Sequence, residues 1–195
     1  MTVPVTGDIS IGAFVGGLGE IHEADFTIEI IYDYLRDNPV DPESLGPYRH
    51  FRKQGYTRNL VYRCDLFEIL VICWDIGQKS TIHNHRDQKC WMTVPVGCLK
   101  GQNYKVRDRD DATKTCRLER SQGYLLDASR PGRVEVDEPV HQILNLPGYR
   151  QQAVSIHVYS RPYDSCEVYD LKAGTYGDVQ LFYDTIEGRP VETAG

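Results

Sequence analysis

The chain has 195 residues, 41% hydrophobic content, a net charge of -6 and no tract of low complexity, which is the size of one domain built on a single core. It has no clustered Lys/Arg stripe to hold a polyanionic backbone, which argues against nucleic acid, and no window approaching the roughly 18 apolar residues of a membrane span. The first twenty residues lack a basic start followed by a continuous apolar core, so a cytoplasmic protein is expected, with no protein partner evident.

The elements follow in chain order. "EADFTIEIIYDYLRDNP", residues 23 to 39, sets Phe26, Ile30, Tyr34 and Leu35 near helical spacing, is led by acidic residues and is stopped by Pro39. A second short helix is expected at "DPESLGPYRHF", with Asp41 as cap and Pro42 in the first turn. After Tyr56 the texture changes to short apolar runs separated by turn residues: "LFEILVICW", "CWMTVPV", "GYLLDA", "HQILNL", "AVSIHVYS" and "DVQLFYD". That recurrence predicts an antiparallel barrel or sandwich. The tail "IEGRPVETAG" reads as short, polar and frayed. No internal repeat or linker divides the chain, so residues 1 to 195 are expected to form one domain, helical over about 24 to 50 and β over about 56 to 187.

The six cysteines, Cys64, Cys73, Cys90, Cys98, Cys116 and Cys166, form no CxxC pair and no dense framework. Reduced thiols are expected rather than a stapled scaffold or a zinc ribbon. Most of the thirteen tyrosines read as ordinary strand residues.

In "STIHNHRDQKCW", residues 80 to 91, His83 and His85 fall on one face of a strand edge, because side chains alternate with period two. Gly77, five residues, His83-Asn84-His85, four residues, Cys90, six residues and Gly97 together resemble the first cupin signature, except that Cys90 stands where glutamate is usual. The second signature is half present: "PVHQILN" supplies His141 and Asn145. Three neutral imidazoles without a carboxylate would leave Fe(II) its full double charge and about half of an octahedron open. Zinc, nickel and copper also suit such a set, and Cys90 as a fourth ligand would favour zinc or a blue-copper-like site.

In "AVSIHVYSRPYD", residues 153 to 164, Ser155, His157 and Tyr159 alternate with Val154, Ile156 and Val158. By pattern alone this is equally a half-exposed edge strand. Taken with HxHx4C, the later VHQ and "YTRNLVY" at residues 56 to 62, it resembles the cysteine dioxygenase family over roughly residues 24 to 190. The resemblance implies a mainly β, cupin-type antiparallel barrel (jelly roll) with a short helical N-terminal segment. It implies Fe(II) held by His83, His85 and His141, with Cys90 not a ligand but joined through sulfur to the ring of Tyr159. Ser155 and His157 match the relay that orients that tyrosine, Arg58 the clamp for a substrate carboxylate, and Tyr56 and Cys166 positions lining the pocket. The implied reaction adds both atoms of O2 to the sulfur of L-cysteine, giving cysteine sulfinate.

One departure bears on the substrate. Where cysteine-using relatives read Ser-Pro-Pro with a cis peptide, this chain reads Ser160-Arg161-Pro162, and the ~3 kcal/mol cost of a non-proline cis bond predicts a trans loop here. Arg58 with Arg161 would suit a dicarboxylic thiol such as mercaptosuccinate, and an arginine near this point also marks the branch that uses 3-mercaptopropionate; a solvated loop residue is the alternative for Arg161. A cupin that binds metal or ligand without turnover is the reading from another class.

Overall fold

The helices begin where the sequence supplies a cap. In the computed structural model, which describes residues 7–134 and 139–191, the Ser10 hydroxyl accepts the Ala13 N–H at the head of α1 (Ile11–Gly19). Thr27 does the same for Ile30 at the head of α2 (Ile28–Asp37). α2 is the expected helix, shortened at its start because residues 23–25 form a separate 3₁₀ turn. Asp41 caps a 3₁₀ segment, Pro42–Tyr48, in place of the expected short α-helix. α1 was not expected: "IGAFVGGLG" holds four glycines, which lowers helix propensity. Burial of Ile11, Phe14 and Leu18 compensates, and Gly17 lets Tyr34 approach so that its O–H donates to Phe14 O at 2.8 Å.

The strands are β1 (Thr57–Arg63), β2 (Glu68–Trp74), β3 (Ile82–His83), β4 (Lys89–Val96), β5 (Leu99–Asp110), β6 (Thr115–Leu126), β7 (Gly132–Arg133), β8 (Val140–Leu144), β9 (Ala153–Ser160), β10 (Ser165–Asp170), β11 (Thr175–Gln180), β12 (Thr185–Ile186) and β13 (Arg189–Pro190). One sheet runs β13-β12-β1-β2-β9-β4-β7; the others close as β10-β11-β6-β5-β8-β3. The result is the expected mainly β, cupin-type barrel. The tail departs from expectation: Thr185–Ile186 pairs in parallel with β1 and turns back onto Arg189–Pro190. The Thr185 hydroxyl, donating to the buried Asn59 Oδ1 at 3.0 Å, ties it down, a partner that the tail's own composition cannot reveal. Residues 192–195 of that tail lie outside the described residues.

Period-two alternation decides what each face of the large sheet meets. Ile69, Val71 and Cys73 of β2 and Val154, Ile156 and Val158 of β9 pack outward in the same cluster as Phe14, Leu18, Ile31 and Leu35 of the helices. Leu70, Ile72 and Trp74 pack inward with Leu99, Leu126 and Ile143 of the closed sheet. β9 is therefore a central strand between β2 and β4 rather than an edge, and its polar face lies inside the barrel. Burying each of these aliphatic side chains contributes roughly 1.5–3 kcal/mol, so Ile156→Asp would unseat the helices. All six cysteines carry free thiols. Among the described residues no helix is long and apolar enough to cross a membrane.

Candidate metal centre and its pocket

β3 and β8 pair so that His83 stands opposite His141, and His85 follows just past the end of β3. The three rings lie 4.8 to 5.0 Å apart between centroids, and one nitrogen from each falls within 4.8 Å of the others. His83 Nδ1 lies 3.0 Å from Thr81 O; a carbonyl can only accept, so the proton sits on Nδ1 and Nε2 keeps its lone pair. Burial pushes His83 down to about 4, and burial with mutual repulsion pushes His85 and His141 well below their ordinary value. The imidazoles are neutral, the form that binds metal. Both nitrogens of His85 are buried without a hydrogen-bond partner among the described residues, a costly state that a divalent cation relieves at the ligating nitrogen. The residues present fit a three-histidine metal ion. Cys90 stands apart from this group, so the fourth-ligand alternative is not what the fold arranges.

Asn84, between the two histidines, is tied to β10. Its Nδ2–H donates to Glu167 Oε2 at 2.8 Å, its N–H to Glu167 O at 3.2 Å, and its Oδ1 accepts the Glu167 and Arg86 N–H groups. Arg109 grips Glu167 with a two-toothed fork at 2.8 and 3.0 Å and thereby holds that carboxyl down to about 2. Neither Glu167 nor Arg109 is legible as a site residue in the sequence.

The inner face of β9 carries a directed chain of hydrogen bonds. The Trp74 indole can only donate, and it donates to Ser155 Oγ at 2.9 Å. The Ser155 O–H then donates to His157 Nε2 at 2.9 Å, which assigns the proton of this neutral imidazole to Nδ1, 3.1 Å from Tyr159 Oη. Burial, then the nearby Arg58 charge, pushes His157 down to about 3, so the imidazole stays neutral. The phenol oxygen accepts, and its own hydrogen is left to donate elsewhere. The Tyr159 ring sits 5.3 Å from that of His85. Cys90 on β4 is the cross-strand neighbour of Tyr159, and burial pushes its thiol pKa up.

A cleft of about 690 Å³ leads in past the exposed Phe182 to Arg58, Tyr56, His83, Tyr163 and Cys166. Burial opposes the Arg58 charge, but the Tyr159, Tyr163 and Tyr56 phenols and the Glu68 carboxylate raise its pKa above the ordinary value, so it stays a cation. Its Nε–H has no partner among the described residues. Tyr56 stacks on Trp74 with centroids 4.6 Å apart. Tyr163, a residue that sequence reasoning passed over as one tyrosine among many, packs its ring 5.1 Å from Tyr159 and 5.8 Å from His85. Glu68 was likewise passed over: it is fully buried on β2 opposite Tyr159 and accepts the Tyr183 O–H at 2.5 Å.

Arg161 is placed elsewhere. Its guanidinium pairs with Glu23 on the outer surface, beside a separate small cleft. The Ser160–Arg161 peptide is cis, which corrects the trans expectation. That expectation weighed the peptide alone; here the Arg161 N–H is held by Gln88 Oε1 and the side chain by Glu23, contacts that span 73 and 138 residues of chain.

Residues 20–172 match the cysteine dioxygenase type I family. The chain is similar to "Cysteine dioxygenase type 1" of Homo sapiens, 28% identical over 88% of this chain and 84% of the relative. The Bos taurus protein of the same name is 26% identical over the same shares. Among solved structures, KdgF from Halomonas sp. is 14% identical over 59% of this chain and 86% of that one, with a TM-score of 0.42.

Proposed function

The chain belongs to the cysteine dioxygenase type I family and is a thiol dioxygenase; we propose that it adds both atoms of O2 to the sulfur of L-cysteine, giving cysteine sulfinate, with Fe(II) held by His83, His85 and His141. The observation that carries this reading is the end of the cleft, where a buried arginine lies beside Tyr159 and three neutral imidazoles. Such a pocket suits a small anion with one soft donor group. When bound, Fe(II) would lower the pKa of the substrate thiol and bring dioxygen and sulfur together.

The protein's own residues do the rest. Arg58 receives the substrate carboxylate through its outer N–H groups, since burial leaves the guanidinium poorly solvated while Tyr159, Tyr163, Tyr56 and Glu68 around it keep it charged. Tyr159, with its oxygen accepting from His157, turns its O–H toward the reacting groups. A Cys90 to Tyr159 thioether would hold that phenol with little rotamer entropy left to lose. Tyr163 shields the rings of Tyr159 and His85 from bulk water. Tyr56 and Cys166 border the space left for the substrate. Arg161, paired with Glu23, is assigned no part in binding, which removes the argument for a dicarboxylic thiol. By extension from the relatives, the chain is read as one cupin domain of the cytoplasm, serving cysteine catabolism.

The test is oxygen uptake by iron-reconstituted protein with L-cysteine, 3-mercaptopropionate and mercaptosuccinate in parallel, with products identified by mass. L-cysteine should show the highest kcat/KM and yield a sulfinate. A preference for 3-mercaptopropionate would reassign the substrate, and no uptake with any thiol would sink the reading in favour of a binding cupin.

A further inference from the structure

Two of the three histidines flank one residue, Asn84, whose side-chain amide and backbone N–H are held by Glu167, by Arg86 of its own turn and, at 3.3 Å, by Tyr169 Oη. The amide NH₂ and the backbone N–H both reach Glu167, at 2.8 and 3.2 Å, while the amide oxygen receives the Glu167 and Arg86 N–H groups at 3.2 Å each. Glu167 in turn is fixed by two N–H groups of Arg109 and by the Tyr169 O–H at 2.9 Å. Arg109 is itself held over the Tyr176 ring, 4.1 Å from its centroid, and by Asp111 at 2.7 Å. The chain of contacts runs from β5 through β10 to the turn carrying His83 and His85, and none of its members faces the cleft or ligates.

A surface ion pair alone would explain little, since exposed pairs contribute ~0–1 kcal/mol. Glu167 differs: its side chain is 13% exposed, its carboxylate takes donors from three residues, and its backbone is bonded to the same asparagine as its carboxylate. Fastening Asn84 at both backbone and side chain fixes where the turn's neighbouring imidazoles can point. His83 has a further anchor through Thr81, but His85 has no hydrogen bond of its own at either nitrogen among the described residues. Its orientation depends on packing and on the turn that Asn84 holds.

We propose that the Asn84–Glu167–Arg109 clasp is the positioning device of the metal centre: it preorganises His83 and His85 and sets how long the metal stays bound. This rests on the reading of the three histidines as an iron site. The general reason is that ligand geometry prepared before binding slows the loss of a metal, and outer partners of ligands are worth about 10–100-fold in affinity.

The experiment follows Fe(II) release from the loaded protein to a chromogenic chelator under nitrogen, with no thiol present. Asn84→Asp sets a second carboxylate against Glu167, and Glu167→Gln removes the charge that Arg109 grips; each should speed release, by about 10–100-fold for the aspartate and less for the glutamine. The double variant restores a donor opposite an acceptor, because the glutamine amide can donate to the new aspartate, and release should return to within about threefold of the parent. Release at the parental rate in both single variants overturns the proposal. So does a double variant as leaky as the worse single one, which would mark general destabilisation. Should Asn84→Asp fail to fold, Glu167→Gln and Arg109→Gln carry the same comparison, read against the melting temperature of the metal-free protein; release that speeds only in step with a lower melting temperature also overturns it. A parent that retains no iron would instead bring down the iron reading, and the clasp with it.

Discussion

Cys90 on β4 stands directly opposite Tyr159 on β9, with both side chains buried in the core between the sheets. Cross-strand neighbours have Cβ atoms about 4.5–5.5 Å apart, close enough for sulfur to meet the ring edge. Forming a thioether removes the S–H and one ring C–H hydrogen, with two electrons passing to oxygen. After repeated turnover with iron, intact-mass measurement should find a species lighter by two hydrogens, which Cys90→Ser lacks. Its absence in the unsubstituted protein would show that this adjacency is packing alone.

Trp74 begins the hydrogen-bond chain that ends on Tyr159. Trp74→Phe keeps an aromatic ring under Tyr56 but deletes the donor, so Ser155 is free to reorient and the direction of the chain is no longer enforced. A neutral hydrogen bond contributes about 1 kcal/mol, and kcat should fall about fivefold with KM nearly unchanged. A lower melting temperature with unaltered kcat would assign Trp74 to packing only.

The two arginines should separate cleanly. Arg58→Gln should raise KM for L-cysteine by about 30-fold or more, since a charged clamp facing a carboxylate is worth ~2 kcal/mol or above when buried. Arg161→Ala should leave KM within about twofold and stability within ~0.5 kcal/mol, as its pair with Glu23 is exposed on both sides. Kinetics on both variants decide it, and a large KM effect at Arg161 would return that residue to the substrate.

Stability of the metal-free protein should depend on pH through its buried imidazoles. His83 is held down to about 4 and His157 to about 3, with His85 and His141 also well below the ordinary 6.5. Depressed values mean stability that is whole above about 6.5 and drains as pH falls toward the folded values, by about 3 kcal/mol for His83 by itself. Glu167, held down to about 2, loses its share only below its ordinary 4.5, whereas Glu68, raised by burial, works in the opposite direction. Thermal melts should therefore show the melting temperature falling between about pH 6.5 and 4. A flat profile across that range would contradict the buried, neutral histidines.

Residues on one short strand were readable in advance because their relation is local. Alternation placed Ser155, His157 and Tyr159 on one face, and the family resemblance supplied their roles. What alternation could not say was which way that face looked. β9 could have been an edge strand, and only its placement between β2 and β4, with the helices covering the Val154, Ile156 and Val158 side, turned the polar face inward. The first residues of the tail owe their order to a similar cause: Ile186 pairs with Leu60 of β1, next to Thr185, which is held by Asn59, 126 residues earlier.

By itself the sequence determined the β texture and the grouping of His83, His85 and Cys90, since spacings of two and seven residues survive any arrangement of the rest of the chain; His141, Tyr159 and Arg58 joined that group only through the family resemblance. Tertiary structure decided where Arg161 went, which isomer its peptide took, that Trp74 directs the tyrosine's hydrogen bonds, that Tyr163 borders the pocket, that Glu68 lies buried opposite Tyr159, and that Glu167 fastens the metal-binding turn. Each of these turns on a partner brought in from 70 or more residues away, as Glu167 is to Asn84 over 83 residues, Trp74 to Ser155 over 81 and Arg161 to Glu23 over 138. No pattern within a window of sequence carries the energy of contacts that form only when the two sheets close on one another.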